Sequence, residues 1–196
     1  MAHDYSVPVI DIAAYISGEP GAAERLVPEV RHALEKIGFL VLTGHGIDRE
    51  LRQRTLDVSK AFFDLPEDEK RICHNVPGTF LGYNPLAAER VAYSHGIETA
   101  PDLKANYTIG RPQIDQSDPY YTGPAGRRMF PPDVWPSRPA DFKDVLVEYF
   151  KVAESLATQL MRLFAIALNL PNEYFDKKLD KASNFLRVLD YPPLEV

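Results

Sequence analysis

The sequence contains one cysteine, Cys73, and one tryptophan, Trp135, among its 196 residues. A single thiol excludes an internal disulfide and a Cys-rich metal framework, and it suits a reducing compartment, so a cytoplasmic location is expected. Positive charge is not in excess: 22 Lys and Arg stand against 28 Asp and Glu, for a formal charge of -6. That balance removes the counterion-release drive of nonspecific nucleic-acid binding, and no nucleic-acid partner is expected. Long hydrophobic runs are missing too. The longest, Leu163 to Leu168, falls far short of the roughly 20 residues of a membrane helix. The start, MAHDYSVPVI, lacks the basic and apolar stretches of a signal peptide, and no membrane partner is expected. Internal repeats, low-complexity tracts, a Gly-x-Ser-x-Gly elbow and a Walker-type phosphate loop are all absent.

What is present is an ordinary globular composition, 45% hydrophobic and 26% charged. A chain of this length buries about 70% of its unfolded surface, enough for a core without metal or disulfides. The pattern predicts a short strand over Val7–Ile12 and a helix over Val27–Ile37 with Pro28 in its first turn and Gly38 at its end. Phe39–Leu42 reads as a strand buried on both faces, followed by a turn at Thr43-Gly44-His45-Gly46. Asp48 is placed to cap a helix whose Leu51, Thr55, Val58, Ala61 and Phe62 share one face until Leu65-Pro66 interrupts it. Glu67, Asp68 and Glu69 suit a further, solvated first turn.

Beyond Asn75 the periodicity is lost. Many of the 17 prolines lie between Pro101 and Pro139, which predicts a long irregular connection of extended segments and turns. Helical spacing returns from Asp141 to Leu168, a helix of about 40 Å. Phe185–Leu189 alternates as a strand, closed by Tyr191-Pro192-Pro193. The fold class is therefore α/β (α+β), with too few strands to close a barrel of about eight.

Five histidines, His3, His32, His45, His74 and His95, are the nitrogen donors available to a metal. A two-histidine-one-carboxylate iron site commonly uses His-x-Asp on a strand, where residues two apart share a face. No His-x-Asp or His-x-Glu occurs here. His45-Gly46-Ile47-Asp48 and His95-Gly96-Ile97-Glu98 echo one another, but a His-x-x-acid spacing in a glycine turn defines no common face. Neither is taken as a ligand, and no metal residue is assigned. Cys73 adjoins His74, yet neighbouring residues seldom point the same way, so no thiolate–imidazole pair is expected. Arg187 and Tyr191 are four apart and fall on one strand face, where together they suit a carboxylate. The competing reading, preferred on these residues alone, has Arg187 snorkelling from the sheet edge and Tyr191 packing on Pro192.

Taken in order, GFLVLTGHGI (38–47), SKAFFDLPEDEK (59–70), LGYNPL (81–86), DLKANYTIG (102–110), VWP (134–136) and NFLRVLDYPP (184–193) resemble the N-terminal region of the isopenicillin N synthase-like oxygenases. These are ferrous iron enzymes, mostly dependent on 2-oxoglutarate. The resemblance covers the whole chain, as residues 1–135 of the non-haem dioxygenase N-terminal type and residues 136–196 as a long helix and first strand of the oxygenase core. It implies a jelly-roll, a double-stranded β-helix, of which this chain carries an incomplete barrel. In the family, Gly-His-Gly-Ile and Leu-Pro-x-x-x-Lys are architectural, and a His-x-Asp pair with a distant His holds the iron after the Tyr-Pro-Pro motif.

This sequence stops before those ligands and before the Arg-x-Ser element that grips 2-oxoglutarate. By resemblance Tyr191 matches a tyrosine that reaches the cosubstrate carboxylate, and Arg187 matches a position of less settled role. Leu189 stands where plant members often have Asn, and Ala105 replaces a frequent Glu. The expectation is the N-terminal part of an Fe(II)/2-oxoglutarate oxygenase of small molecules. Alone it is expected to be inactive and to bind neither iron nor 2-oxoglutarate tightly. A non-catalytic binding or scaffold module of that descent is the alternative.

Overall fold

The computed structural model describes residues 6–75, 78–90 and 100–193. The chain folds into two compact units, each built from two stretches of sequence: Met1–Arg49 with Lys151–Ala182, and Glu50–Phe150 with Ser183–Val196. Each unit includes residues on both sides of position 135/136.

In the first unit, β1 (Val9–Asp11) pairs in parallel with β2 (Val41–Thr43). Between them lie the short helix α1 (Ala13–Ile16) and the helix α2 (Ala22–His32), which widens into a π-helical turn over Ala33–Ile37. Helix α2 starts at Ala22, so Pro28 lies inside it and not in its first turn. Burial of Ala22 and Val30 on one face offsets the backbone bond that proline removes. Gly38, at φ +81°, ends the turn as expected.

The expectation for Phe39–Leu42 is corrected. Phe39 is 71% and Val41 48% exposed, because β2 has one strand neighbour among the described residues and no layer to cover both its faces. Ile10, Ile12, Val30, Ala33, Leu163 and Ala167 form this unit's core. The Tyr15 hydroxyl donates to the Gln159 carbonyl at 2.8 Å. Arg31 Nε donates to the Ala167 carbonyl at 2.9 Å, a cation placed on the last turn of a helix.

The second unit opens with α3 (Arg49–Phe63), where Leu51, Thr55, Val58, Ser59 and Phe62 are buried. Its two buried hydroxyls are satisfied within the helix: Thr55 donates to the Leu51 carbonyl at 2.8 Å and Ser59 to the Thr55 carbonyl at 2.6 Å. Pro66 then starts α4 (Glu67–Arg71), with three acidic residues in its first turn.

The sheet of this unit has the antiparallel order β3 (Gly82–Asn84), β4 (Ala105–Ile109), β5 (Leu186–Asp190). The proline-rich stretch is more regular than expected, since it carries β4 and two short helices, α5 (Pro119–Thr122) and α6 (Pro124–Met129). Asp118 caps α5 by accepting the Tyr120 N–H at 2.9 Å, and a proline takes the first turn of each helix, where no N–H is needed.

Helix α7 (Phe142–Ala167) follows the predicted periodicity and is shared at Phe150/Lys151 between the two units; α8 (Asp176–Leu179) is a single turn. Phe62 centres the core of the second unit, with ring centroids at 5.2 Å from Phe63, 5.7 Å from Tyr83, 5.1 Å from Tyr107 and 4.8 Å from Phe142.

Candidate functional site

The β3–β4–β5 sheet has two chemically different faces, because successive side chains on a strand leave on opposite sides. Tyr83, Ala105, Tyr107, Ile109, Leu186 and Val188 face the aromatic core. The alternate positions carry Asn84, Asn106, Thr108 and Arg187. The register sets Asn84 opposite Asn106 and Thr108 opposite Arg187. Asn84, Asn106 and Thr108 are all buried, an unusual concentration of amide and hydroxyl groups on one face.

These groups are wired together. Asn75 Nδ2 donates at 3.1 Å to both the Thr79 carbonyl and Asn84 Oδ1. Asn84 Nδ2 donates to Asn106 Oδ1 at 3.1 Å, and Thr108 Oγ1 lies 3.4 Å from the same oxygen. Asn106 is 0% exposed, and its Nδ2 has no hydrogen-bond partner among the described residues. An unmet buried donor costs on the order of 1–3 kcal/mol.

Arg187 and Lys104 border this face. Arg187 Nε donates to Thr108 Oγ1 at 3.0 Å, and its Nη1 lies 3.4 Å from Glu89 Oε1. The Lys104 ammonium stands 3.1 Å from Glu89 Oε2 and 2.6 Å from Asp102 Oδ2. Its hydrogen bond to Asp102, with the help of Glu89, outweighs burial and raises its pKa above the ordinary lysine value. The snorkelling expected of Arg187 is replaced by this defined pairing.

Tyr191 lies one residue past the end of β5 and is 67% exposed. It lines a cleft of about 600 Å³ with Lys60, Glu67, Lys70, Tyr83 and Asp190. Arg187 is not on that cleft, so the structure does not gather the two predicted cosubstrate contacts into one cavity. Glu67 is more than a solvated helix start. It accepts from the Tyr83 hydroxyl at 3.0 Å and from Arg71 Nε at 3.0 Å, and Lys70 Nζ is 3.4 Å away.

His45 Nδ1 accepts the Ile47 N–H at 3.1 Å, a turn-forming role. Cys73 is buried and its thiol is pushed up to about 11 by burial, which keeps it protonated at neutral pH. His3 and His95 lie outside the described residues. Among the described residues no three His, Cys, Asp or Glu side chains group so as to hold a metal ion, so these residues do not fit an iron centre by themselves. No helix among them is long and apolar enough to cross a membrane.

Sequence reading found Arg187 but missed Asn84, Asn106, Thr108, Glu89 and Lys104. The available signal was period-two alternation in Lys104-Ala105-Asn106-Tyr107-Thr108-Ile109, polar against apolar.

Residues 7–138 match the family model for the N-terminal region of non-haem dioxygenases, described from morphine synthesis. The chain belongs to the 2-oxoglutarate/Fe(II)-dependent dioxygenase family. Among its relatives, the 2-oxoglutarate-Fe(II) type oxidoreductase hxnY of Emericella nidulans is 32% identical over 189 residues, covering 94% of this chain and 52% of the relative. Homoarginine-6-hydroxylase 2-ODD-C23.1 of Arabidopsis thaliana is 29% identical, and the match covers 100% of this chain and 59% of the hydroxylase. The chain spans about half the length of the curated relatives it matches.

Solved structures agree on the fold. A 2OG-Fe(II) oxygenase family protein from Caulobacter crescentus superposes with a TM-score of 0.79 at 24% identity, over 96% of this chain and 57% of that one. A full-length Neurospora crassa protein in complex with alpha-KG gives 0.76 at 25% identity, over 98% and 56%. These neighbours are jelly-roll oxygenases, and the mixed helix and sheet architecture seen here is consistent with that fold.

Proposed function

We propose that this chain is the N-terminal part of an Fe(II)/2-oxoglutarate-dependent oxygenase of a small organic molecule, inactive alone, with iron donors supplied by sequence outside it. The observation that carries this reading is the extent of the match: relatives align along nearly all of the chain, which spans only about half of them. The Neurospora crassa protein, also crystallised with alpha-KG and thymine, and the homoarginine hydroxylase point to small-molecule substrates.

Bound iron and 2-oxoglutarate supply the oxidising chemistry of the family. No step of it is assigned to the described residues, which hold no iron-binding set. Their part is binding and orientation. The exposed Tyr191 hydroxyl donates to a cosubstrate carboxylate, while Arg187, steadied by Thr108 and Glu89, lies off the Tyr191 cleft and orders the polar face of the sheet. A reducing cytoplasm suits the single buried thiol.

The test is to sequence the transcript through and past the codon for Val196, and to assay succinate release by the 1–196 chain and by the extended chain with ferrous iron. The reading expects an in-frame His-x-Asp and a later His, with turnover only in the extended protein. Succinate release by the 1–196 chain would overturn it. A stop codon after Val196, with cooperative unfolding and no 2-oxoglutarate affinity, would favour a non-catalytic module instead.

A further inference from the structure

The amide chain on the polar face of the sheet has a direction, and nothing within it can reverse that direction. The Thr79 carbonyl accepts only, so Asn75 must turn its NH2 group toward it. The same NH2 group reaches Asn84 Oδ1, which turns the Asn84 NH2 group toward Asn106 Oδ1. Flipping Asn106 alone would set two NH2 groups against each other. Flipping Asn84 with it moves the same conflict to Asn75, and flipping Asn75 sets an oxygen against the Thr79 carbonyl. Every alternative leaves a worse contact. The chain therefore ends in a fixed, buried and unmet donor, Asn106 Nδ2. An acceptor placed against that donor would relieve its desolvation cost.

The charge around it selects the kind of acceptor. Among the described residues, Arg187 and Lys104 border this face as cations, and both are already paired, to Glu89 and to Glu89 with Asp102. Two positive and two negative groups leave no net charge among these four residues. An incoming carboxylate would have to displace a partner or remain uncompensated, which is costly in a buried place. A ketone, amide or lactam oxygen meets the donor without either penalty. Leu189 stands opposite Asn106 in the ladder and is 45% exposed, so the position beside the buried amide opens to solvent.

We propose that the polar face of β3–β4–β5 is a binding site for an uncharged, carbonyl-bearing small molecule whose oxygen accepts from Asn106 Nδ2. That this molecule is the oxygenase substrate rests on the function proposed above; the binding site itself does not.

The experiment uses the 15N-labelled 1–196 chain, without iron or 2-oxoglutarate, titrated with 2-pyridone, δ-valerolactam, N-methylacetamide and, as the anionic counterpart, benzoate. The expected result is a saturable shift of the Asn106 side-chain NH2 resonances with at least one of the three neutral carbonyl probes, and at least tenfold weaker binding of benzoate. Asn106→Leu abolishes that binding. Leu189→Trp, at an exposed position outside the amide chain, blocks it as well and keeps the test decisive if Asn106→Leu does not fold. No saturable shift with any neutral probe, equal binding of benzoate, or a persistent cross-peak from Asn106 NH2 to a bound water that no probe displaces would each overturn the proposal. Because neither turnover nor cosubstrate is read, a neutral carbonyl probe that binds while the transcript lacks iron ligands removes the oxygenase reading and leaves this site. Turnover by the extended protein without such binding does the reverse.

Discussion

The Tyr83 hydroxyl donates to the Glu67 carboxylate at 3.0 Å, tying the central residue of β3 to the first turn of α4. Burial pushes the Glu67 carboxyl up, but the hydrogen bonds from Tyr83, Lys70 and Arg71 outweigh it and hold the group below its ordinary value of 4.5. A carboxyl depressed in the folded state stabilises above its unfolded value and loses that contribution as pH falls through the folded one. Glu67→Gln is therefore expected to flatten the acid side of the stability curve below about pH 4.5. Urea midpoints of both proteins between pH 3 and 7 measure this, and parallel curves would contradict it.

Asp133 behaves in the opposite sense. Burial raises its pKa, against the lowering effect of the Gly110 N–H, which it accepts at 2.8 Å, and of Lys143. The folded state then holds its proton more tightly, so its contribution is present below the ordinary value of 3.8 and is lost as pH rises through the folded value. Asp133→Asn keeps an acceptor for Gly110 and removes the charge. Its Tm should exceed that of the parent at pH 7 and match it at pH 3; a lower Tm at pH 7 would refute the assignment.

Gly44 explains why the Gly-His-Gly-Ile motif is structural. Its φ is +65°, and an added Cβ would lie 2.2 Å from Asp11 Oδ1 and 2.7 Å from the Ala13 nitrogen. Those two atoms are themselves hydrogen-bonded at 2.9 Å. Gly44→Ala is expected to cost more than the roughly 1–2 kcal/mol of a left-handed alanine alone. His45→Ala, which removes one acceptor in a turn, should cost about 1 kcal/mol. Denaturant titration of the two variants gives the order directly, and an equal or larger loss for His45→Ala would show the histidine to have a further role.

Phe62, fully buried among four aromatic rings, should cost about 3–5 kcal/mol when replaced by alanine. Leu56 on the same helix is 63% exposed, and its replacement by alanine should stay within about 0.5 kcal/mol. Similar midpoints for the two variants would place the core elsewhere.

Helices α3 and α7 were legible in the sequence because a helix writes its buried face at a local period, and Leu51 to Phe62 and Phe142 to Ala167 repeat that period without interruption. Strand β5 and the family resemblance were legible for a similar reason, as short contiguous patterns. The exposure of Phe39 and Val41 was not, since an apolar run does not say how many layers will cover it. The start of α2 at Ala22 and the widened turn at Ala33–Ile37 also escaped, because burial of one face overrode the usual position of a proline.

What the sequence by itself determined is the long helices α3 and α7, the strands β1 and β5, the class of fold and the family. Only the tertiary structure decided that Arg187 pairs with Glu89, and that the amides of Asn75, Asn84 and Asn106 form a directed chain ending in an unmet donor. Those partners come from separate strands and loops, and hydrogen bonding between them depends on register and burial, quantities that no local pattern of residues encodes.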